Sequence, residues 1–312
     1  MLNVAGNANS RPSENDTGSQ FLRKYSPGGS VLWTRKFSLG DWAYEFGGVA
    51  VSGSNVYVVG SFREDFQGDG PPPPSNATAF IRKFNSSGAL LWSRTFGTSV
   101  DDWASDVAVD DNGNAYIVGS TLGVLAGSHS GDVDMFVRKY TPSGSVAWTR
   151  QLHRGSDYGA AIAVSGTSVY LAGSVGQQNS YARIVKFSTS GSKRWDRTFG
   201  GVGYVSVSDI SATSQGVVFG GSTTSDFAEL RPYPNYYSDG FAYKLDVSGN
   251  TVWSKLQATS GNDITTAVLN TPYGVFAAGQ TAGTLGTTYH GGWDPFLRRM
   301  KGATGATIWT DQ

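Results

Sequence analysis

The chain has 312 residues, 15% of them charged and 13% aromatic, with 24 basic side chains against 24 acidic ones and no cysteine. Neutrality removes the long-range field that draws proteins to nucleic acid or anionic lipid. The missing thiol excludes disulfide scaffolds, zinc–thiolate sites and cysteine nucleophiles. Ring content excludes intrinsic disorder, and no apolar run approaches the ~18 residues of a membrane-spanning helix.

In chain order the sequence repeats itself. Val4-Ala-Gly6 precedes Phe21-Leu-Arg-Lys-Tyr25, a Ser26-Pro-Gly-Gly29 turn and Trp33. The next unit adds a leading element: Val49-Ala-Val51, then Tyr57-Val-Val-Gly60, Phe80-Ile-Arg-Lys-Phe84 and Trp92. The third reads Val107-Ala-Val109, Tyr116-Ile-Val-Gly119, Phe136-Val-Arg-Lys-Tyr140 and Trp148. The fourth reads Ile162-Ala-Val164, Tyr170-Leu-Ala-Gly173, Arg183-Ile-Val-Lys-Phe187 and Trp195. Ile210-Ser-Ala212, Val217-Val-Phe-Gly220, Phe241-Ala-Tyr-Lys-Leu245 and Trp253 form the fifth. Ala267-Val-Leu269, Val275-Phe-Ala-Ala-Gly279, Phe296-Leu-Arg-Arg-Met300 and Trp309 form the sixth.

Short β-branched and aromatic segments divided by Gly, Ser, Asn and Asp are strands joined by tight turns. Four such strands, here A to D, recurring every ~50 residues read as blades of a β-propeller with A nearest the axis. The expected fold is all-β: a single six-bladed propeller over 1–312, its units spanning about 1–37, 38–96, 97–152, 153–199, 200–256 and 257–312. The chain opens on a B strand, so the first blade lacks an innermost strand of its own, or a missing strand follows Gln312. The A–B turn Asp111-Asn-Gly-Asn114 is expected to be a tight hairpin with Gly113 at positive φ. The six D-strand tryptophans read as packing between blades, and one residue of each Arg/Lys pair (23–24, 82–83, 138–139) is expected to meet a neighbouring blade's acid.

The run Gly113-Asn-Ala-Tyr-Ile-Val-Gly-Ser-Thr121, with Val-Ala-Val-Asp before it and Phe-Val-Arg-Lys after it, resembles the bacterial SBBP-type β-propeller repeat. The resemblance implies an extracellular or envelope-associated protein, often an adhesion or binding module, and brings no catalytic residues. Met1-Leu2-Asn3-Val4 holds no signal segment, so either the protein is cytoplasmic or a leader is absent from this chain; the resemblance implies the second, with a location outside the cell or in its envelope.

A–B and C–D turns are short and uniform, whereas B–C loops vary in length, and variable loops on a repeated scaffold are where function sits. His129, His153 and His290 fall on the face of the B–C loops and D–A connections, as do Trp42, Trp103 and Trp293 and a set of acids including Asp41, Glu45, Asp101, Asp102, Asp157, Asp226, Asp239 and Asp294. Rings beside carboxylates suit a sugar, whose C–H face packs on the aromatic while its hydroxyls donate to the acid. The candidate contact residues are Trp42, Trp103, Asp102, His153, Asp157, Tyr158, Trp293 and Asp294, at the pore mouth. Tyr233, Tyr236, Tyr237 and Tyr289 join this face, and Tyr233 to Tyr237 would serve a lateral groove between blades.

Asp41-Trp42 and Asp102-Trp103 have a competing role, fixing D–A corners. No cofactor is expected, with calcium held open at Asp132 and Asp134 and at Glu64, Asp65 and Asp69. Pro71–Pro74 reads as a stiff spacer. No hydrolase elbow, phosphate loop or zinc-protease motif occurs. The reading favours a non-catalytic module recognising a glycan or a surface partner, without nucleic acid or membrane insertion. Its alternatives are an architectural domain of a larger surface protein and a carbohydrate-active enzyme using carboxylates and His153 or His290.

Overall fold

The computed structural model describes residues 2–8, 19–37, 42–63, 76–129, 132–177, 179–225, 237–286 and 290–312. They form strands and turns, with no helix among them. Two compact units divide the chain, Met1–Arg154 and Gly155–Gln312.

The first unit holds three antiparallel sheets. Blade 1 is β1 (Leu2–Ala8), β2 (Ser19–Tyr25) and β3 (Val31–Phe37). Blade 2 is β4 (Trp42–Ser52), β5 (Asn55–Arg63), β6 (Ala77–Phe84) and β7 (Leu90–Phe96). Blade 3 is β8 (Asp102–Val109), β9 (Ala115–Thr121), β10 (Asp134–Tyr140) and β11 (Val146–Leu152). The second unit holds three more. Blade 4 is β12 (Asp157–Ser165), β13 (Ser168–Val175), β14 (Tyr181–Ser188) and β15 (Lys193–Phe199). Blade 5 is β16 (Val205–Thr213), β17 (Gly216–Thr223), β18 (Asp239–Leu245) and β19 (Thr251–Gln257). Blade 6 is β20 (Asp263–Thr271), β21 (Gly274–Thr281), β22 (Asp294–Met300) and β23 (Thr307–Asp311). Within each sheet a strand pairs with the next in sequence, giving six propeller blades, the first with three strands among the described residues.

Burial follows the order of strands. β9 and β18 are buried at every position, because B and C strands are covered on both faces; β7 and β11 at the D edge are mostly exposed. The glycine of the B strand is a steric requirement. A Cβ on Gly119, Gly221 or Gly279 would lie 1.9 Å from the backbone oxygen of Trp103, Ser206 or Ile264, where the bulged A strand crosses close above it. In blade 5 the register puts Gly221, not Gly220, opposite Phe241, the place that Gly119 takes opposite Phe136. Gly113 takes φ 78° in its turn, as its sequence predicts.

The D-strand tryptophans join adjacent blades through a latch. The indole Nε1 of Trp33, Trp92, Trp195 and Trp253 donates to Ser86, Pro142, Val247 and Gly302 backbone oxygens at 2.9–3.1 Å, each in the next blade's C–D turn. The same oxygen accepts a second bond, from Lys24, Lys83, Lys186 or Lys244, at 2.7–3.0 Å. The turn glycines Gly88, Gly144, Gly249 and Gly305 then lie flat on the ring, where a Cβ would come within 2.8–3.0 Å. This corrects the expected pairing of these lysines with acids. A turn carbonyl has two lone pairs and points away from its own hairpin, so it takes both donors without desolvating a carboxylate. The arginines of the motif turn the other way: Arg23 and Arg138 donate from Nε to Thr34 and Thr149 of their own D strands at 2.8 and 2.9 Å.

Candidate functional site at the loop end of the blades

Antiparallel pairing brings the start of strand A, the end of B and the start of C to one end of each blade. The rows there read Asp102, Thr121, Asp134 in blade 3; Asp157, Val175, Tyr181 in blade 4; Val205, Thr223, Asp239 in blade 5; and Asp263, Thr281, Asp294 in blade 6. This is the end that carries the B–C loops and D–A connections.

The carboxylates in these rows are withdrawn from solvent. Asp102 is fully buried and accepts from the Thr98 backbone N–H at 2.5 Å and from its hydroxyl at 3.0 Å, clamping the D–A corner. Asp263 repeats the arrangement with Thr259 at 2.6 and 3.1 Å and also takes the Thr281 hydroxyl. Burial pushes both carboxyl groups above the usual range, against the pull of these bonds. Asp157 is fully buried and meets Arg183 at 2.8 Å, while the same guanidinium grips Asp196 at 2.7 Å. Asp294 accepts from the His290 backbone N–H at 2.7 Å. These four aspartates bond to corners and loops of their own blades.

Two B–C loops share a clamp that the sequence reading missed. Gln151, at the end of β11, accepts the Leu125 and Ala126 N–H groups at 2.8 and 3.0 Å, and donates to Gly123 O at 2.8 Å and to Asp134 at 2.7 Å. Gln312, just past β23, accepts from Leu285 and Gly286 at 2.7 and 2.8 Å and donates to Gly283 O at 2.7 Å. His129 Nδ1 lies 2.9 Å from Asp134, so this histidine braces its loop. The signal was present in the matching loops Thr121-Leu-Gly-Val-Leu125 and Thr281-Ala-Gly-Thr-Leu285, each in a repeat whose D strand runs out at a glutamine. One oxygen of Asp134 thereby takes both His129 and Gln151. Among the described residues no three His, Cys, Asp or Glu side chains gather to hold a metal ion.

Several rings are exposed at this end, beside aliphatic Val124 and Val202. In the second unit Tyr158 is 49% exposed, Tyr181 37%, Tyr204 57%, Tyr237 47% and Trp293 48%. All five stand at or just before the start of an A or C strand. The loops beside Tyr181, Tyr204 and Tyr237 are tied across blades: Ser180 N donates to Gly203 O at 3.1 Å, Gly203 N to Asn179 Oδ1 at 2.9 Å, and Asp263 N to Ser238 O at 2.7 Å. Tyr181 and Tyr204 were not singled out from the sequence. In the first unit Trp103 is half-buried in β8 and His153 is exposed. Trp42 opens β4, but its side chain and that of Glu45 lie outside the described residues, as do Asp41, Glu64, Asp65, Asp69, Pro71–Pro74, Asp226, Tyr233, Tyr236 and Tyr289.

The model of the SBBP "Beta-propeller repeat" family matches residues 91–126, which run from β7 through β9. No curated protein matches the chain in sequence. Among solved structures it is similar to a mutant of the Synechocystis apocarotenoid oxygenase, at 9% identity and TM-score 0.50, over 94% of this chain and 69% of that one. Another mutant of that oxygenase matches at 8% identity and TM-score 0.48, and the chain spans 66% of its length. A neuraminidase-like protein from A/bat/Guatemala/164/2009 matches at 10% identity and TM-score 0.49, over 96% of this chain and 78% of that one. At such identities the likeness is one of fold alone. Residues 91–126 thus resemble one SBBP β-propeller repeat, within a chain whose sheets repeat the same antiparallel pattern.

Proposed function

We propose that this chain is a non-catalytic binding module, acting outside the cell or in its envelope, that recognises a glycan or a surface partner with the loop end of its blades. The observation that carries the reading is the set of exposed rings, Tyr158, Tyr181, Tyr204, Tyr237 and Trp293, at one end of the second unit. Single exposed rings are ordinary. Five at one end, three of them beside loops tied by hydrogen bonds, offer a surface that loses little entropy when it binds. Tyrosine and tryptophan suit a saccharide because each presents an apolar face and one polar atom.

Binding is favoured over hydrolysis by the fate of the acids. A glycosidase needs two carboxyl groups facing its substrate across about 5–9.5 Å, whereas Asp102, Asp157 and Asp263 are enclosed and bonded within their own corners. A glycan array probed with the purified chain, alongside the Tyr158→Ala/Trp293→Ala double variant, tests the reading. Retention of defined saccharides by the native chain and its loss in the folded variant supports it. Equal signals from both proteins would remove the rings from the interface.

A further inference from the structure

Blade 4 departs from its own repeat at the opposite end, among the A–B and C–D turns. In the other D strands the two residues before the tryptophan are uncharged: Val31-Leu32, Leu90-Leu91, Val146-Ala147, Thr251-Val252 and Thr307-Ile308. In blade 4 they are Lys193-Arg194. Arg194 is exposed and makes no hydrogen bond or ion pair among the described residues.

Arg197 departs as well. Its counterparts Arg35 and Arg94 lie over their own tryptophans at 5.6 and 5.7 Å and donate to Gly88 O and Gly144 O of the next blade. Arg197 keeps only a bond to its neighbour's backbone, Asp196 O, at 3.1 Å. Arg197 instead lines an open cavity of about 780 Å³ together with Lys186, Arg194, Ser188, Ser190 and Ser248.

The lining holds three cations and several hydroxyls but no carboxylate. The nearest acids are already committed. Asp196 pairs with Arg183, and Asp246 folds into its own turn, where Asn250 holds it below the usual carboxylate range. Unpaired guanidinium groups beside hydroxyl donors match a tetrahedral oxyanion, which accepts two-pronged bonds from arginine and single bonds from serine. The volume far exceeds that of a bare ion and leaves room for the sugar that carries it.

We propose that this cavity binds a sulfate or phosphate monoester borne on a saccharide, with Arg194 and Arg197 as its principal ligands. The site lies at the end of the blades remote from the exposed rings, and does not depend on their role. Calorimetric titration of the full chain with glucose 6-sulfate, glucose 6-phosphate and plain glucose tests it. The native chain is expected to bind at least one ester and not glucose, and the ester that binds identifies the source. Arg194→Gln/Arg197→Gln should weaken that binding about tenfold or more, since bonds to charged groups are the strong ones. Arg154→Gln/Lys301→Gln, which removes the same charge from exposed positions outside the cavity, should leave it unchanged. Absence of ester binding by the native chain, or equal loss in both double variants, would overturn the proposal.

Discussion

The latch between blades makes a differential prediction inside one sequence position. Trp253 and Trp309 occupy the same place in consecutive repeats, yet Trp253 is 7% exposed and Trp309 38%. Trp253 lies under Gly305 and donates to Gly302 O at 3.0 Å; Trp309 touches Phe276 edge-on and makes no such bond among the described residues. Truncating Trp253 to alanine removes a nearly enclosed ring and leaves a cavity, which costs about 3–5 kcal/mol. Roughly 1 kcal/mol of that comes from the lost hydrogen bond. Lys244 still satisfies the carbonyl, so no orphaned acceptor adds to the cost. Trp309→Ala removes a ring already partly in water and should cost about 1–2 kcal/mol. Equilibrium urea denaturation followed by far-UV circular dichroism measures both, because it does not depend on the fluorophore being deleted. Equal costs at the two positions would refute the latch, since the tryptophan would then be stabilising only its own blade.

Gly305→Ala should lower the thermal midpoint more than Gly29→Ala. Both glycines have positive φ, 68° and 83°, but only at Gly305 would the methyl meet an indole, at 2.8 Å, whereas nothing lies within 4 Å of the one at Gly29; backbone strain alone costs about 1 kcal/mol, and overpacking adds about 1–3 kcal/mol. Gln151→Ala should speed amide exchange at Leu125 and Ala126 while leaving β9 protected, because it unties the loop without touching the core; unchanged exchange at these two amides would show that the clamp does not hold the loop. Burial raises the folded-state pKa of Asp263, so the folded chain holds this proton more tightly than the unfolded one. The group's contribution therefore becomes more favourable as pH falls through the raised value, and least favourable where it is ionised in both states. The native chain should then gain more stability than Asp263→Asn as pH falls from 7.5 to the ordinary aspartate value of about 4, read as the shift in urea midpoint; identical shifts would contradict the assignment.

The blades were legible because period and turn chemistry are local properties. Tyr116-Ile-Val-Gly119 is a strand from its composition, and Gly113 needs positive φ from its place in the turn. The site was less legible because its chemistry depends on burial, which only stacking of blades decides. Asp102 and Asp157 look the same in sequence whether they face a ligand or close a corner. Lys24 and Lys83 carry no mark of a partner that is a turn carbonyl more than fifty residues away. Tyr181 was legible as a departure, since blades 3, 5 and 6 begin strand C with aspartate. Lys193-Arg194 was legible in the same way, against aliphatic or uncharged pairs in every other D strand.

The central claim, that the chain binds saccharide or partner through its exposed rings and leaves it intact, is tested most directly by one incubation. Polysaccharide retained by the immobilised chain is eluted and sized by chromatography, with Tyr158→Ala/Trp293→Ala run in parallel. The account predicts retention by the native chain, elution at the original length and loss of retention in the variant. Shortened product from the native chain, or undiminished retention by the variant, would contradict it.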